Sequence, residues 1–369
     1  MSGSDFFVRK ALTLIPPYNS GLTLDEVRTR YKVERIAKLG SNENPVGPSP
    51  AVGEACMKAL QAPQLYPDPS GRSLRDAIAR YLDVSSDQVI LGNGSEDLLS
   101  IICRAVLSPG ETVVTLYPSF PLHEDYTHLM EAKVERVGLL DELTIDVDAL
   151  VAALSAGPRM AMFSNPMNPV GSWLDTAQMQ RVINALKPET LLVLDEAYIE
   201  YASGPDFPDV LRLLATSDKN WITLRTFSKA WGLAGLRIGY AVAGDAKLCG
   251  LLDRARTPFN TNLAAQAAAL AALGDPAHVE SVVALAKSER VRVMKVLQDR
   301  GCRVASSRGN FLFFDCGTNA VEFCEKLLQR GVILKPWKQA GYENFARVSI
   351  GLPEDNDWFL DCHLEIFGK

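Results

Sequence analysis

The chain alternates short apolar runs with longer amphipathic stretches, and this alternation limits the folds available to it more than any other feature. Six runs between residues 88 and 244 have the length and composition of buried strands: Gln88–Leu91, Thr112–Leu116, Met160–Phe163, Leu191–Leu194, Trp221–Leu224 and Ile238–Ala243. The stretches between them, such as Asp97–Leu107 and Thr176–Leu186, have a helical spacing of apolar residues. Buried strands separated by helices predict βαβ units and a mostly parallel sheet.

The pattern changes after Pro258, where helical stretches lead into a second group of strands. The helical stretches are Leu263–Leu273 and Val279–Arg300, and the strand-like segments are Asn310–Asp315, Gly331–Leu334 and Phe345–Ile350. The sequence therefore predicts an α/β protein with a large domain over residues 42–260 and a smaller α+β C-terminal domain over residues 261–369. Residues 1–41 have little strand character and are predicted to form an arm on the small domain or on another subunit.

The composition argues against several classes of partner and location. The 369 residues include 38 basic and 44 acidic side chains, with a net charge of −6, so a nucleic acid is not the expected partner. The first 18 residues lack the continuous apolar run of a signal peptide, and no stretch reaches the length of a membrane helix. Seven scattered cysteines without C-x-x-C spacing predict reduced thiols and no metal site. We therefore expect a cytoplasmic protein.

Polar residues follow several of the predicted strands, where open α/β sheets bind their ligands. Asp195 comes directly after one strand, and Asn168 lies in a proline-rich turn after another. Gly94 and Ser95 join a strand to a helix, a turn whose N–H groups suit an anion such as phosphate. Taken singly, each of these features is more typical of a helix cap or a plain loop.

The segment after Trp221–Leu224 combines several groups that suit catalysis. Thr226 and Ser228 precede Lys229, and a glycine-rich stretch follows that ends in Arg237. Hydroxyls and an arginine are good donors to phosphate. A lysine in apolar surroundings is a candidate nucleophile, because burial depresses its pKa toward a usable free amine.

Together these motifs resemble those of the fold type I pyridoxal-phosphate aminotransferases, in the branch that contains histidinol-phosphate aminotransferase. The match runs from about Tyr18 to Gly351 and keeps the family's order. The resemblance implies that Lys229 forms the internal aldimine with pyridoxal 5′-phosphate and then acts as the base at the substrate Cα. Asp195 would pair with the pyridine nitrogen.

The same resemblance implies roles for the remaining residues of the site. Asn168 and Tyr198 would hydrogen-bond the ring's 3′ oxygen, and Phe120 would stack on the ring. The residues implied at the cofactor phosphate are Gly94, Ser95, Glu96, Thr226, Ser228 and Arg237. Tyr66 would reach that phosphate from a second subunit, which implies a homodimer. The residues implied at the substrate are Arg347, which would grip a carboxylate, Tyr18, Asn42 and Lys335.

Departures from the family pattern leave the substrate open. Phe120 and Phe259 stand where tyrosine is frequent, and Lys335 stands where arginine is frequent. The leading expectation is transamination between histidinol phosphate and 2-oxoglutarate in histidine biosynthesis. An aromatic amino acid aminotransferase is the alternative, with Trp337 and Phe259 against a flat ring, and a phospho-amino-acid decarboxylase is the third possibility.

A non-enzymatic DNA-binding sensor is not expected, because the residues before Ser41 are too few and too broken by proline for a helix-turn-helix module. The four histidines and seven cysteines match no catalytic position of the family. We interpret all of them as structural or surface residues.

Overall fold

Twelve β-strands and thirteen α-helices form the part of the chain that this computed structural model describes, residues 7–18 and 21–367. The strands are β1 (Ala37–Lys38), β2 (Val89–Gly92), β3 (Thr112–Leu116), β4 (Lys133–Val137), β5 (Met160–Ser164), β6 (Leu191–Asp195), β7 (Asn220–Thr226), β8 (Gly239–Ala243), β9 (Phe311–Asp315), β10 (Val332–Ile333), β11 (Lys335–Pro336) and β12 (Phe345–Ser349). The helices are α1 (Leu24–Tyr31), α2 (Ala51–Ala59), α3 (Arg72–Leu82), α4 (Ser95–Val106), α5 (Pro121–Leu129), α6 (Val147–Ser155), α7 (Thr176–Ala185), α8 (Val210–Ala215), α9 (Ala246–Asp253), α10 (Leu263–Leu273), α11 (Pro276–Asp299), α12 (Ala320–Leu328) and α13 (Pro353–Phe367).

Seven of the strands form one sheet in the order β2-β8-β7-β6-β5-β3-β4. Strand β8 is antiparallel to both of its neighbours, β2 and β7, and the other pairs are parallel. The prediction of a mostly parallel sheet is therefore confirmed. Because β8 alone runs in the reverse direction, the carboxyl ends of the other six strands lie at one edge of the sheet.

Helices cover both faces of this sheet, as the apolar runs of its strands require. Successive residues of β6 pack on opposite sides: Leu192 and Leu194 belong to one buried cluster, and Leu191 and Val193 to another. The first cluster includes buried residues of α3, α6, α7 and α10, and the second includes those of α4 and α9. The large core is thus a three-layer α/β/α sandwich.

The edge strand β4 has no apolar run that would reveal it. Its sequence is Lys-Val-Glu-Arg-Val, and Val137 is its one buried residue. An edge strand pairs on one side and meets solvent on the other, so its composition differs little from that of a loop. The other predicted strands and long helices have their observed ends within about three residues of the predicted ones.

The C-terminal part contains a smaller sheet in the order β11-β12-β9, with antiparallel pairing throughout. Strand β1 of the N-terminal segment pairs in parallel with β10 of this part. Helix α11 contributes to both cores, with Val279 and Val282 in the large one and Val293 and Leu297 in the small one. Helix α10 packs on α2 and α3, beside the large sheet. The domain limits at residues 41 and 260 stay a prediction.

Within the described ranges, no single helix has both the length and the apolar composition needed to cross a membrane. Helices α10 and α11 meet that test only when they are taken together, and they are bent by 82° at the break between them.

Candidate functional site

A cavity of about 710 Å³ lies at the carboxyl edge of the seven-stranded sheet, between it and the C-terminal part. Most of the predicted site residues line it: Tyr18, Ser95, Glu96, Phe120, Asn168, Asp195, Tyr198, Thr226, Ser228, Lys229, Arg237, Lys335 and Arg347. Gly94, Asn42 and Tyr66 do not line this cavity. Parallel strands bring their polar ends to a common edge. The N-terminal segment and β12 add Tyr18 and Arg347, which are more than 300 positions apart in sequence.

Lys229 lies in the cavity after the end of β7, and its Nζ donates a hydrogen bond to the carbonyl oxygen of Ser41 at 3.0 Å. Burial lowers the pKa of its amine to about 8, and the positive charge of Arg347 adds to this effect. Glu43 opposes the shift. Roughly a fifth of the amine is therefore neutral near physiological pH, compared with roughly a thousandth for an ordinary lysine. The neutral amine is the form that a nucleophile or base requires.

Asp195 ends β6 and is buried at the floor of the cavity. Its Oδ1 accepts a hydrogen bond from the backbone N–H of Ala197, and its Oδ2 lies 3.4 Å from Nε2 of His123. The sequence interpretation of His123 as a structural or surface residue misses this contact. No local pattern in the sequence indicates this contact, because it forms only when α5, which carries His123 in its first turn, packs beside the sheet.

Tyr198 lies beneath Lys229, with the lysine Nζ 5.7 Å from the centre of its ring. Its hydroxyl accepts a hydrogen bond from Nδ2 of Asn42, whose Oδ1 accepts one from the hydroxyl of Ser349. Asn42 is fully buried and adopts a φ of 55°. It therefore contacts Tyr198 from behind the cavity wall, whereas the resemblance implies a direct contact with substrate.

The turn before α4 and the side chain of Arg237 lie close together and form a candidate phosphate site, which we call the Gly94–Arg237 cradle. Gly94 has a φ of 85°, and a Cβ at this position would lie 2.5 Å from a guanidinium nitrogen of Arg237, so only glycine lets the two approach. The N-terminus of α4 begins at Ser95 and directs unpaired N–H groups outward. The Glu96 carboxylate accepts a hydrogen bond from Tyr126 and lies 3.9 Å from Arg237, so only the backbone of Glu96 suits an anion.

Arg347 lies in β12 and is almost completely buried. It donates hydrogen bonds to Oδ1 of Asn168 at 2.7 Å and to the carbonyl oxygen of Gly40 at 2.8 Å. Its Nε has no hydrogen-bond partner in the described part of the chain. Lys335 stands directly opposite it in β11. Burial and the neighbouring charge of Arg347 lower the pKa of Lys335 to about 8. Two cations on facing positions favour an anionic group beside them.

Two of the predicted aromatic residues line the cavity and two lie elsewhere. Phe120 and Trp337 contribute to its wall. Phe259, predicted at a substrate ring, instead stacks on Tyr66 with ring centres 4.4 Å apart. Tyr66 is 79% exposed. Within one chain, this aromatic pair therefore lies outside the cavity.

The donors and acceptors of the cavity fit pyridoxal phosphate. The Gly94–Arg237 cradle offers a guanidinium and the N-terminus of α4 for its phosphate, and Lys229 offers an amine for its aldehyde. Asp195 offers a buried carboxylate for a protonated ring nitrogen. Phe120 offers a flat apolar surface for the ring.

Comparisons with known proteins agree with this chemistry. The profile of the family "Aminotransferase class I and II" matches residues 34–360. Histidinol-phosphate aminotransferase 1 of Mesorhizobium japonicum is 59% identical over 360 residues, which cover 98% of each chain. Histidinol-phosphate aminotransferase 3 of Rhizobium meliloti is 56% identical over 359 residues, which cover 97% of each chain.

A solved structure gives the same assignment. The crystal structure of histidinol-phosphate aminotransferase from Sinorhizobium meliloti in complex with pyridoxal-5′-phosphate is similar to this chain with a TM-score of 0.89, covering 98% of each chain at 29% identity. The chain therefore belongs to the class I and II aminotransferases, within the histidinol-phosphate aminotransferase family, and is a pyridoxal-phosphate-dependent transaminase.

Proposed function

We propose that the chain transfers the amino group of L-histidinol phosphate to 2-oxoglutarate, which leaves a carbonyl product and glutamate. The observation that carries this proposal is the cross-strand pair of Lys335 and Arg347, two cations that line the same cavity as Lys229. A phosphate on the donor and a carboxylate on the acceptor both suit such a pair. The names of relatives at 59% and 56% identity support the same substrate.

Lys229 is the proposed proton carrier. When bound, pyridoxal phosphate supplies an electron-accepting ring that stabilises negative charge at the substrate Cα. The neutral Nζ of Lys229 would take the proton from the substrate Cα. It would then deliver the proton to the cofactor carbon that is bonded to the same amino nitrogen. Its pKa of about 8 allows both steps near neutral pH.

Asp195, Tyr198 and the phosphate cradle are proposed to orient the cofactor. Asp195 holds a positive charge on the pyridine nitrogen, and its contacts to Ala197 and His123 fix the carboxylate in place. Tyr198 and Asn168 act at the ring's 3′ oxygen. The Gly94–Arg237 cradle, with Ser95, Thr226 and Ser228, anchors the phosphate.

An aromatic amino acid donor is the second candidate. Phe120 and Trp337 give the cavity two apolar aromatic surfaces, and Phe120 has no hydroxyl for a polar donor. A substrate carboxylate would take Arg347. A decarboxylase reaction on the same residues has no specific observation in its favour.

We also propose a cytoplasmic homodimer in which Tyr66 completes the phosphate site of the partner subunit. The exposed stack of Tyr66 and Phe259 outside the cavity supports this arrangement. The seven cysteines are all free thiols, as expected in a reducing compartment.

The test is the visible absorption spectrum of the purified holoenzyme during titration with each amino donor. We expect L-histidinol phosphate to bleach the cofactor band at far lower concentration than L-phenylalanine, and 2-oxoglutarate to restore it. The reverse order would make the aromatic amino acid the donor. Histidinol phosphate has no carboxyl group, so release of carbon dioxide after addition of a phospho-amino acid would instead identify a decarboxylase.

The Lys229→Ala variant serves as the control for the catalytic residue. It is expected to keep the fold and bind the cofactor noncovalently, without turnover. Transamination at the wild-type rate by this variant, free of wild-type protein, would disprove the assignment of Lys229.

A further inference from the structure

The side-chain oxygen of Gln339 accepts hydrogen bonds from two places beside the cavity: the indole of Trp337 and the residue before Phe120. Oε1 of Gln339 accepts a hydrogen bond from the backbone N–H of Ser119 at 2.9 Å and another from the indole Nε1 of Trp337 at 2.8 Å. Ser119 directly precedes Phe120, the residue at the cofactor side of the cavity. Trp337 belongs to the C-terminal part and lines the same cavity.

We propose that Gln339 is a positioning residue that orients the indole of Trp337 against the turn that carries Phe120, and thereby selects an amino donor with a flat ring. The proposal rests on the proposed function, because it assigns the Trp337 side of the cavity to the imidazole ring of histidinol phosphate, while Phe120 faces the cofactor ring. The backbone N–H of Trp337 donates a hydrogen bond to the carbonyl oxygen of Phe345 at 2.9 Å. The hydrogen bond to Gln339 acts on the indole ring itself.

Further contacts keep the loop that carries Gln339 against the end of β3. The hydroxyl of Tyr117 donates a hydrogen bond to the carbonyl oxygen of Ala340 at 2.9 Å. The ring of Tyr117 also meets the edge of the Tyr342 ring, with centres 6.0 Å apart. The guanidinium of Arg136 lies over the ring of Tyr117, 4.6 Å from the ring centre. These contacts hold the loop in place. Among the described residues, Gln339 is the one whose side chain hydrogen-bonds both Trp337 and the residue before Phe120.

Trp337 is buried, so the loss of the hydrogen bond from its indole should change the orientation of the ring. Its side chain is 4% exposed, and its neighbours are the ring of Phe313 and the guanidinium of Arg347, each 6.0 Å from its ring centre. The indole N–H can only donate, so without Gln339 it would be buried and unpaired. An unpaired buried donor favours a rotation of the ring toward water, which changes the wall that meets the substrate.

The experiment compares three variants of the holoenzyme. Gln339→Met keeps the side-chain length and removes the acceptor, and Gln339→Glu keeps an acceptor oxygen. Gln298→Met makes the same chemical change on the exposed surface of α11, where the glutamine side chain has no hydrogen-bond partner within residues 7–18 and 21–367. For each variant we measure kcat and KM for histidinol phosphate and for 2-oxoglutarate, which has no ring.

We expect Gln339→Met to raise the KM for histidinol phosphate by about tenfold and to leave kcat and the KM for 2-oxoglutarate within about twofold. Gln339→Glu should recover most of the loss, and Gln298→Met should behave as wild type. Acrylamide quenching of the Trp337 emission, isolated by difference from a Trp337→Phe protein, should rise in cofactor-free Gln339→Met. This last measurement does not depend on turnover.

Equal changes for both substrates, or no change in either, would overturn the positioning role. So would unchanged quenching of Trp337. If the wild-type enzyme accepts L-phenylalanine and ignores histidinol phosphate, the proposed donor is wrong, and the same comparison is made with phenylalanine. The ring-selective increase in KM then supports the role of Gln339 independently of the donor's identity.

Discussion

The chemistry of Lys229 depends on what surrounds the residue. Removal from water disfavours the ammonium form, and the guanidinium of Arg347 disfavours it further. Glu43 and Asp195 act in the opposite direction but are the weaker influence overall, since the pKa falls from 10.5 to about 8. The amine is therefore ready to react with an aldehyde at a pH where surface lysines are protonated.

This shift predicts how cofactor uptake depends on pH. Only the neutral amine attacks an aldehyde, so the rate at which cofactor-free protein takes up pyridoxal phosphate should rise with pH and level off above about 8. An ordinary lysine would keep gaining neutral amine up to about pH 10.5. Stopped-flow absorbance from about pH 6 to about pH 10 measures the profile.

The Arg347→Met variant checks the cause of the shift. Removing this neighbouring positive charge should move the midpoint of the uptake profile to higher pH, because the ammonium form then has one repulsion less. A wild-type profile that rises steadily through pH 10, or a midpoint unmoved in the variant, would contradict this account.

Residue identity alone predicts part of the site. Lys229, Asp195 and Arg237 stand at strand ends or glycine-rich turns, and such positions are visible in the sequence. His123 and Gln339 have no such signal, because their contacts to Asp195 and Trp337 exist only after α5 and the β11–β12 loop have packed. A histidine or glutamine in an amphipathic or irregular segment has the same local pattern whether or not it faces a ligand.

At the scale of elements, a buried ion pair joins the ends of the two strands that carry Asp195 and Lys229. Nε of Arg225 in β7 donates to Oε2 of Glu196, directly after β6, at 2.8 Å, and neither side chain is more than 11% exposed. The backbone N–H of Glu196 also donates to the carbonyl oxygen of Leu224. Burial raises the pKa of Glu196, and Arg225 counteracts this.

Breaking this pair on one side should be costly, because it leaves a buried carboxylate without its cation. We expect Arg225→Met to lower the free energy of unfolding by about 3–5 kcal/mol, and the added change Glu196→Gln to recover most of that loss. Urea unfolding at neutral pH measures both.

The matched control is Arg181→Met, which removes the same kind of side chain from an ion pair with Asp148 whose partners are 53% and 86% exposed. The Arg181→Met change should lower the free energy of unfolding by less than about 1 kcal/mol. Equal losses for the buried and the exposed arginine would show that the Arg225 pair stabilises nothing beyond a surface contact.

Elements differ in how well the sequence reveals them. Strands β5 and β6 are buried on both faces and have continuous apolar runs, so their prediction is confirmed. Strand β4 escapes prediction because one edge of it faces solvent. The reversed direction of β8 has no local signal, since a buried five-residue run is the same in either direction.

At the scale of the whole molecule, the proposed exchange of Tyr66 between subunits makes a quantitative prediction. Lys229→Ala subunits lack the amine, and Tyr66→Ala subunits would lack the group that they give to the partner. In a mixed dimer, one site then loses both residues and the other keeps both. The purified mixed dimer should therefore have about half of the wild-type activity per site, although both parents are nearly inactive.

Coexpression of the two variants with different affinity tags provides the mixed dimers, and the transamination rate after tandem purification is the measurement. If Tyr66 acted within its own subunit, no site in the mixed dimer would be intact and activity would stay at the parental level. A monomer in sedimentation experiments at micromolar concentration would exclude the exchange altogether.

The sequence alone predicts the mostly parallel α/β sheet, which the structure confirms, because it depends on local apolar runs. The amine, the carboxylate and the glycine-rich turn proposed for the phosphate can likewise be predicted from the residue that ends each strand. Only the folded chain places Arg347 opposite Lys335, Asn42 against Tyr198, and Gln339 between Trp337 and Ser119. These contacts join residues far apart in the chain, and their geometry depends on how β11, β12 and the N-terminal segment pack on the large sheet. No local pattern encodes such packing, since it results from the burial of both cores together.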